Sequence, residues 1–166
     1  RLAPDQTALL LPIGEALAAL GRHAEALQAL DRAVAEHTRD PEALSSRAFV
    51  HLALGHLAQA DADWARQLEL LPRESHEARA CVWLRLANYE MALYELERAI
   101  ERKPDDPYLH LYRLTAARRL GRSAPPTVAP MDVWPGPLIA LHNGKLCARE
   151  TVQRADNPAR RAEALF

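Results

Sequence analysis

The chain of 166 residues has little of what builds sheets, disulfide frameworks or metal ribbons. Aromatics make up 5% and glycine contributes six residues, while Leu and Ala dominate. That composition suits packed helices and argues against a sheet. Cysteine is limited to Cys81 and Cys147, with no C-x-x-C pair and no metal-ligand spacing. Both read as helix-packing thiols. Charge of one sign is not in excess: 21 Lys+Arg stand against 22 Asp+Glu. The balance removes the electrostatic motive for nucleic acid or an anionic membrane surface as partner. Residues 105–166 are mildly basic, with nine Lys+Arg against six Asp+Glu. No apolar run reaches the roughly 18 residues of a membrane-spanning helix, so no transmembrane span is expected. No signal peptide is present, and the chain opens at Arg1 without an initiator Met. It reads as a piece of a longer protein whose targeting segment could have been removed.

What the chain does have is helical periodicity with a repeat. In Ala87–Pro104, residues Ala92, Leu96, Ala99 and Ile100 fall at steps of three and four, one stripe of an amphipathic helix. Pro104 ends it and Asp105-Asp106-Pro107 turn the chain. The same pattern stands at Ala26, Leu30 and Ala33, and at Ala60, Trp64 and Gln67. Leu-Gly-Arg at 20–22 returns as Leu-Gly-His at 54–56 and as Leu-Gly-Arg at 120–122, so Gly21, Gly55 and Gly121 stand in phase. Between the last two, a third and slightly shortened unit turns at Ala87-Asn88 without glycine. Ahead of Gly21, a first helix capped by Asp5 or Thr7 is expected to bury Leu10, Ile13, Ala16, Leu17 and Leu20. Pro12 either kinks it or marks its first turn. The fourth unit starts at Pro107 but then reads Ser-Ala-Pro-Pro-Thr-Val-Ala-Pro at 123–130. Three prolines there exclude a second helix. Residues 122–136 are expected to form a connector and 137–166 a set of short, degenerate helices.

A helix–turn–helix period of about 34 residues, small residues at the crossings and a closing proline resemble the tetratricopeptide repeat (TPR) family. The resemblance covers about residues 5–121. It implies an all-α solenoid of antiparallel helix pairs in a right-handed superhelix, with the first helix of each pair lining a concave groove. The stretch Trp134–Leu146 is similar to one that follows the repeats in a group of bacterial TPR proteins. That group includes a lipoprotein adaptor for peptidoglycan-cutting enzymes, which implies the bacterial cytoplasm or the periplasm and envelope as setting.

Catalytic signatures are missing. No Gly-x-Ser-x-Gly, Walker loop, Gly-x-Gly-x-x-Gly or His-Glu-x-x-His occurs. Seven histidines are scattered over helices and turns, so no metal and no cofactor is expected. Asp61 and Asp63 point to different sides of a helix. Glu97 and Glu101 share an exposed face, and Trp64, Trp83 and Trp134 read as packing residues. The reading is a non-catalytic scaffold that binds a protein or peptide, with a TPR arm of a larger enzyme or of a bacterial envelope assembly as the alternative. A third reading is self-association through an exposed solenoid end.

By TPR phase, the groove candidates are Leu11, Glu15, Ala18 and Ala19, then Ser45, Phe49, Leu52 and Ala53. Glu77, Cys81, Leu84 and Arg85 follow, then Tyr108, Leu111, Tyr112, Thr115, Arg118 and Arg119. Chaperone-binding members share a Lys/Asn clamp on a partner's terminal carboxylate. The matching positions here are Leu11, Glu15, Ser45, Phe49, Glu77 and Cys81, so that clamp is absent. The asparagine ladder of TPR regions in glycosyltransferases of the O-linked N-acetylglucosamine class is replaced by Pro12, Ser46, Ala78 and Tyr112. The residues expected to bind a partner are Leu11, Phe49, Arg85, Tyr108, Tyr112, Arg118 and Arg119. An apolar strip ending in arginines suits a helical or extended peptide with apolar anchors and an acidic flank.

Overall fold

The computed structural model describes residues 8–123 and Pro135. The expected cap at Asp5 or Thr7, most of the connector 122–136, the expected helices in 137–166 and Cys147 lie outside the described residues. Within them are seven α-helices and no strand: α1 (Leu10–Ala19), α2 (His23–Glu36), α3 (Pro41–Ala53), α4 (Leu57–Leu70), α5 (His76–Arg85), α6 (Tyr89–Arg102) and α7 (Pro107–Arg119). The chain divides into two compact units, the first ending at Ser75 and the second beginning at His76. In the first, α1 pairs with α2 and α3 with α4; in the second, α5 pairs with α6 and α7 packs on α6.

Local sequence explains the starts and stops. Before α3 and α7 stands Asp-Pro. Asp40 Oδ1 accepts from the N–H groups of Glu42 and Ala43 at 2.8 and 3.3 Å, and Asp106 Oδ1 accepts from that of Tyr108 at 3.0 Å. Each carboxylate satisfies backbone donors the helix leaves open, and the proline supplies a preset φ. Every first helix then ends alike. The N–H of Arg22 donates to Leu17 O at 2.9 Å and that of Gly21 to Ala18 O at 2.9 Å, and the same two bonds close α3, α5 and α7. This closure needs one residue with positive φ. Gly21, Gly55 and Gly121 provide it at +74°, +77° and +68°; in the third repeat Ala87 adopts +53°.

The repeat positions carry the core. Ala26, Leu30 and Ala33 of α2, Ala60 and Trp64 of α4, and Ala92, Leu96 and Ala99 of α6 are all buried. In the first unit Leu30 packs with Ala26 and Val50, and Leu44 with Leu10, Ala33, Val34 and Ala43. In the second, Leu96 and Leu109 anchor a cluster with Ala80, Ala92, Ala99 and Ala116. A fully buried leucine contributes about 1.5–3 kcal/mol relative to an exposed one.

Helix α1 departs from the expected stripe. Leu10 and Gly14 are its buried residues, whereas Ile13 and Leu20 are 47% and 72% exposed and Ala16 is exposed as well. The reason is the crossing with α2. A Cβ on Gly14 would lie 2.6 Å from Leu30 Cγ, so α1 turns its glycine side inward and its bulkier apolar edge outward. Pro12 is the third residue of α1, in the first turn, where its missing N–H breaks no helical bond.

Candidate functional site

In the first unit, α1, α2 and α3 enclose an apolar hollow of about 280 Å³. Its floor is Leu30 and Val50, both part of the core. Its walls are Ala18 and Ala53, whose short side chains leave the space, and Phe49, which is 47% exposed. The Phe49 ring meets Trp64 edge-on, with centroids 5.9 Å apart and planes at 77°. That contact holds one side of the phenyl ring beside the hollow. Polar groups lie at the margin. Ser46 Oγ–H donates to Glu15 Oε1 at 2.7 Å, tying α3 to α1. His23 Nδ1, also at the hollow, is buried and makes no hydrogen bond among the described residues.

Four residues of the groove set expected from sequence, Glu15, Ala18, Phe49 and Ala53, are brought together here. Leu11 is half-buried instead, and it touches both core clusters of the first unit. The other named binding residues lie in the second unit. Tyr108 is 39% exposed and its ring centre lies 6.5 Å from that of Tyr112. Tyr112 leans on the Leu96–Leu109 cluster. Arg118 and Arg119 are exposed in the last turn of α7, and Arg85 in the last turn of α5. Cations there complement the helix dipole. Burial pushes the Cys81 thiol up from its ordinary value, Arg85 opposes and Glu77 adds to it.

A second feature escaped the sequence reading. Asp63 is buried in α4 and held by Arg47 of α3, with Nε–Oδ2 at 2.8 Å and Nη2–Oδ1 at 2.6 Å. Arg47 Nη1 also donates to Asp31 of α2 at 2.9 Å. The hydrogen bond to Asp63 holds the Arg47 guanidinium above its ordinary value. In the second unit Glu95 is buried in α6, where Arg79 Nε donates to Oε1 at 2.8 Å and His76 Nδ1 to Oε2 at 2.7 Å. Both arginine–acid pairs have the same internal spacing, 16 positions, and one pair follows the other in repeat register. That double regularity is the signal from which they were readable. The partner of Asp63 lies not on its own helix, where Asp61 stands, but on the preceding one.

Among the described residues, histidines meet in one place. His51 and His56, across the turn at Gly55, have Nδ1 atoms 3.3 Å apart. Among the described residues no group of three or more His, Cys, Asp or Glu could hold a metal ion, and no helix is long and apolar enough to cross a membrane.

No family model and no curated protein matches the chain. Among solved structures, it is similar to a tetratricopeptide repeat protein from Parabacteroides merdae ATCC 43184, at 18% sequence identity and a TM-score of 0.53. The match covers 98% of this chain and 70% of that one. At that identity the likeness establishes the fold: an all-helical architecture of the TPR type. The narrower likeness to a lipoprotein group gains nothing from it.

Proposed function

We propose that this TPR-type chain is a non-catalytic scaffold that binds a peptide segment of a partner protein, and that the hollow of the first unit takes an apolar side chain of that peptide. The observation that carries the reading is the hollow itself. It is floored by Leu30 and Val50, walled by small alanines and open beside a half-exposed phenylalanine. Such a surface offers dispersion contact and desolvation to one apolar anchor. The Glu15 carboxylate at its margin accepts a hydrogen bond from the partner's backbone or from a basic neighbour of the anchor. In the second unit, Tyr108, Tyr112 and Arg119 supply the residue types that most often dominate binding energy, with an acidic stretch of the partner as the match for Arg119.

Peptides selected from a displayed random library on the full chain test this. Phe49→Ala and Ala53→Arg are expected to weaken the selected peptides by about 2 kcal/mol or more, with helical circular dichroism unchanged. Tyr112→Ala and Arg119→Glu are expected to weaken those with acidic flanks. Selected peptides that bind Phe49→Ala and Ala53→Arg as tightly as the unaltered chain would remove the hollow from the proposal.

A further inference from the structure

Arginine occupies one repeat position three times. Arg47, Arg79 and Arg113 recur in repeat register on the first helices α3, α5 and α7. Two of them hold a buried carboxylate, Asp63 and Glu95. Histidine repeats with the arginine: His76 stands three positions before Arg79, and His110 three before Arg113. His76 and Arg79 take one oxygen each of Glu95.

Around Arg113 the donors are in place, and no acid pairs with it among the described residues. Arg113 Nε is buried and makes no hydrogen bond among the described residues. Its Nη2 donates to His110 Nδ1 at 3.3 Å, beyond the usual range for such bonds. His110 Nε2–H donates to the Pro104 carbonyl at 2.6 Å, which leaves Nδ1 as the acceptor. Burial pushes the guanidinium down from its ordinary value, and Glu97 of α6 opposes this only through space. A half-buried guanidinium whose Nε is shut off from water, with no acid in contact among the described residues, has lost hydration without gaining a charge partner. The position that matches Asp63 and Glu95 in this repeat is Ala129, so the chain in register supplies no acid. Leu114 also replaces Ala48 and Ala80 at the helix crossing, a bulk that keeps a helix from lying as close to α7 as α4 lies to α3. Any acid for Arg113 therefore comes from outside the repeat pattern.

We infer that Arg113 forms a carboxylate-binding site, with His110 as the neighbour whose weak bond the carboxylate replaces. An entering carboxylate accepts from Arg113 Nε–H and from Nη2–H, the bond that His110 Nδ1 gives up. This is the two-point grip that Arg47 already exerts on Asp63. The carboxylate is either one from further along the chain (Asp132, Glu150, Asp156 or Glu163) or one carried by another molecule.

The test uses the full chain, melted at pH 7 in sodium acetate and in sodium chloride of equal ionic strength. Acetate is the probe because it carries the proposed chemistry and little else. Four proteins are compared: the unaltered chain, Arg113→Met, the quadruple variant Asp132→Asn/Glu150→Gln/Asp156→Asn/Glu163→Gln, and the quadruple variant with Arg113→Met. The expected result is a rise in Tm of about 2 °C or more in acetate over chloride that disappears with Arg113→Met. If the carboxylate comes from another molecule, the unaltered chain shows that rise. If it comes from this chain, only the quadruple variant shows it, and Arg113→Met lowers Tm only while the four acids are present. Equal responses to acetate with and without Arg113, in both backgrounds, overturn the site. Arg79→Met, whose acid is resident, is the folding control and loses stability in either salt.

Discussion

In the first unit Asp63 is gripped by a single arginine through two bonds; at the matching place in the second, Glu95 is shared between an arginine and a histidine. The difference follows from how the two first helices begin. Helix α3 starts six positions before Arg47 with an Asp-Pro cap, and its Leu44 is buried among apolar neighbours. Helix α5 starts three positions before Arg79, at His76. The place of Leu44 is then taken by His76, which reaches the longer glutamate. Helix α3 secures its start with the Asp40 carboxylate on its backbone N–H groups, α5 with a histidine that closes on a buried acid. Burying either acid is tolerable only because each oxygen has a donor.

The largest effect expected from this contrast is on removal of the arginines. Arg47→Ala leaves Asp63 without its two bonds and should cost about 3–5 kcal/mol, as for other broken buried pairs. Arg79→Ala leaves Glu95 still bonded to His76 and should cost clearly less. Urea melts of the two variants followed by circular dichroism measure this, and equal losses would mean that His76 contributes nothing.

Next come the helix crossings. The first unit closes α1 on α2 through Gly14, with Leu30 at contact; the second closes α5 on α6 through alanines that are fully buried. Gly14→Ala and Ala92→Leu should each cost about 1–3 kcal/mol by overpacking. For Gly14→Ala the loss runs against the gain in helix propensity, so a stabilised variant would show that α1 can shift away from Leu30.

The turns give a smaller effect of opposite sign. Ala87 holds positive φ where the other three repeats have glycine. Ala87→Gly should stabilise the second unit by about 1 kcal/mol, the order of the penalty for a left-handed alanine. Gly55→Ala in the first unit should lose a similar amount. A Tm for Ala87→Gly at or below that of the unaltered chain would contradict the geometry of this turn.

Smallest is a pH effect confined to the first unit. His51, beside its turn, has a pKa held below the ordinary 6.5, first by burial and then by Arg47 and His56, against the pull of Asp63 and Asp31. The unfolded chain takes up this proton more readily than the folded one. Stability from this group is therefore complete above pH 6.5 and declines as pH falls through the lower, folded value. Trp83 occupies the equivalent place in the second unit and does not titrate. His51→Gln should flatten the slope of Tm against pH between about 7 and about 5, and an unchanged slope would clear His51 of the effect.

Much of this was legible in the sequence because it repeats. Three glycines in phase fixed the turns, and the small–bulky–small spacing of Ala26, Leu30 and Ala33 fixed the buried faces of α2, α4 and α6. Periodicity was less informative for α1. Apolar residues occur on both of its sides, and the choice between them rests on the contact of Gly14 with Leu30, which no single-helix pattern contains. The ion pairs were missed for a related reason. Arg47 and Asp63 lie on different helices, and patterns read within one helix cannot pair them. Of the groove set, Ala18 and Ala53 line the hollow together with Phe49, because a hollow is made by what is short.

Within each unit the tertiary partners of a helix lie next to it along the chain or one helix beyond. Closing such contacts loses little loop entropy, and proteins built this way fold fast for their size. A ribosome adds roughly 5–20 residues per second, so several seconds separate the emergence of one helix pair from that of the next. Each pair can dock while the next is still being made, and an error in one hairpin stays with that hairpin and its immediate neighbour.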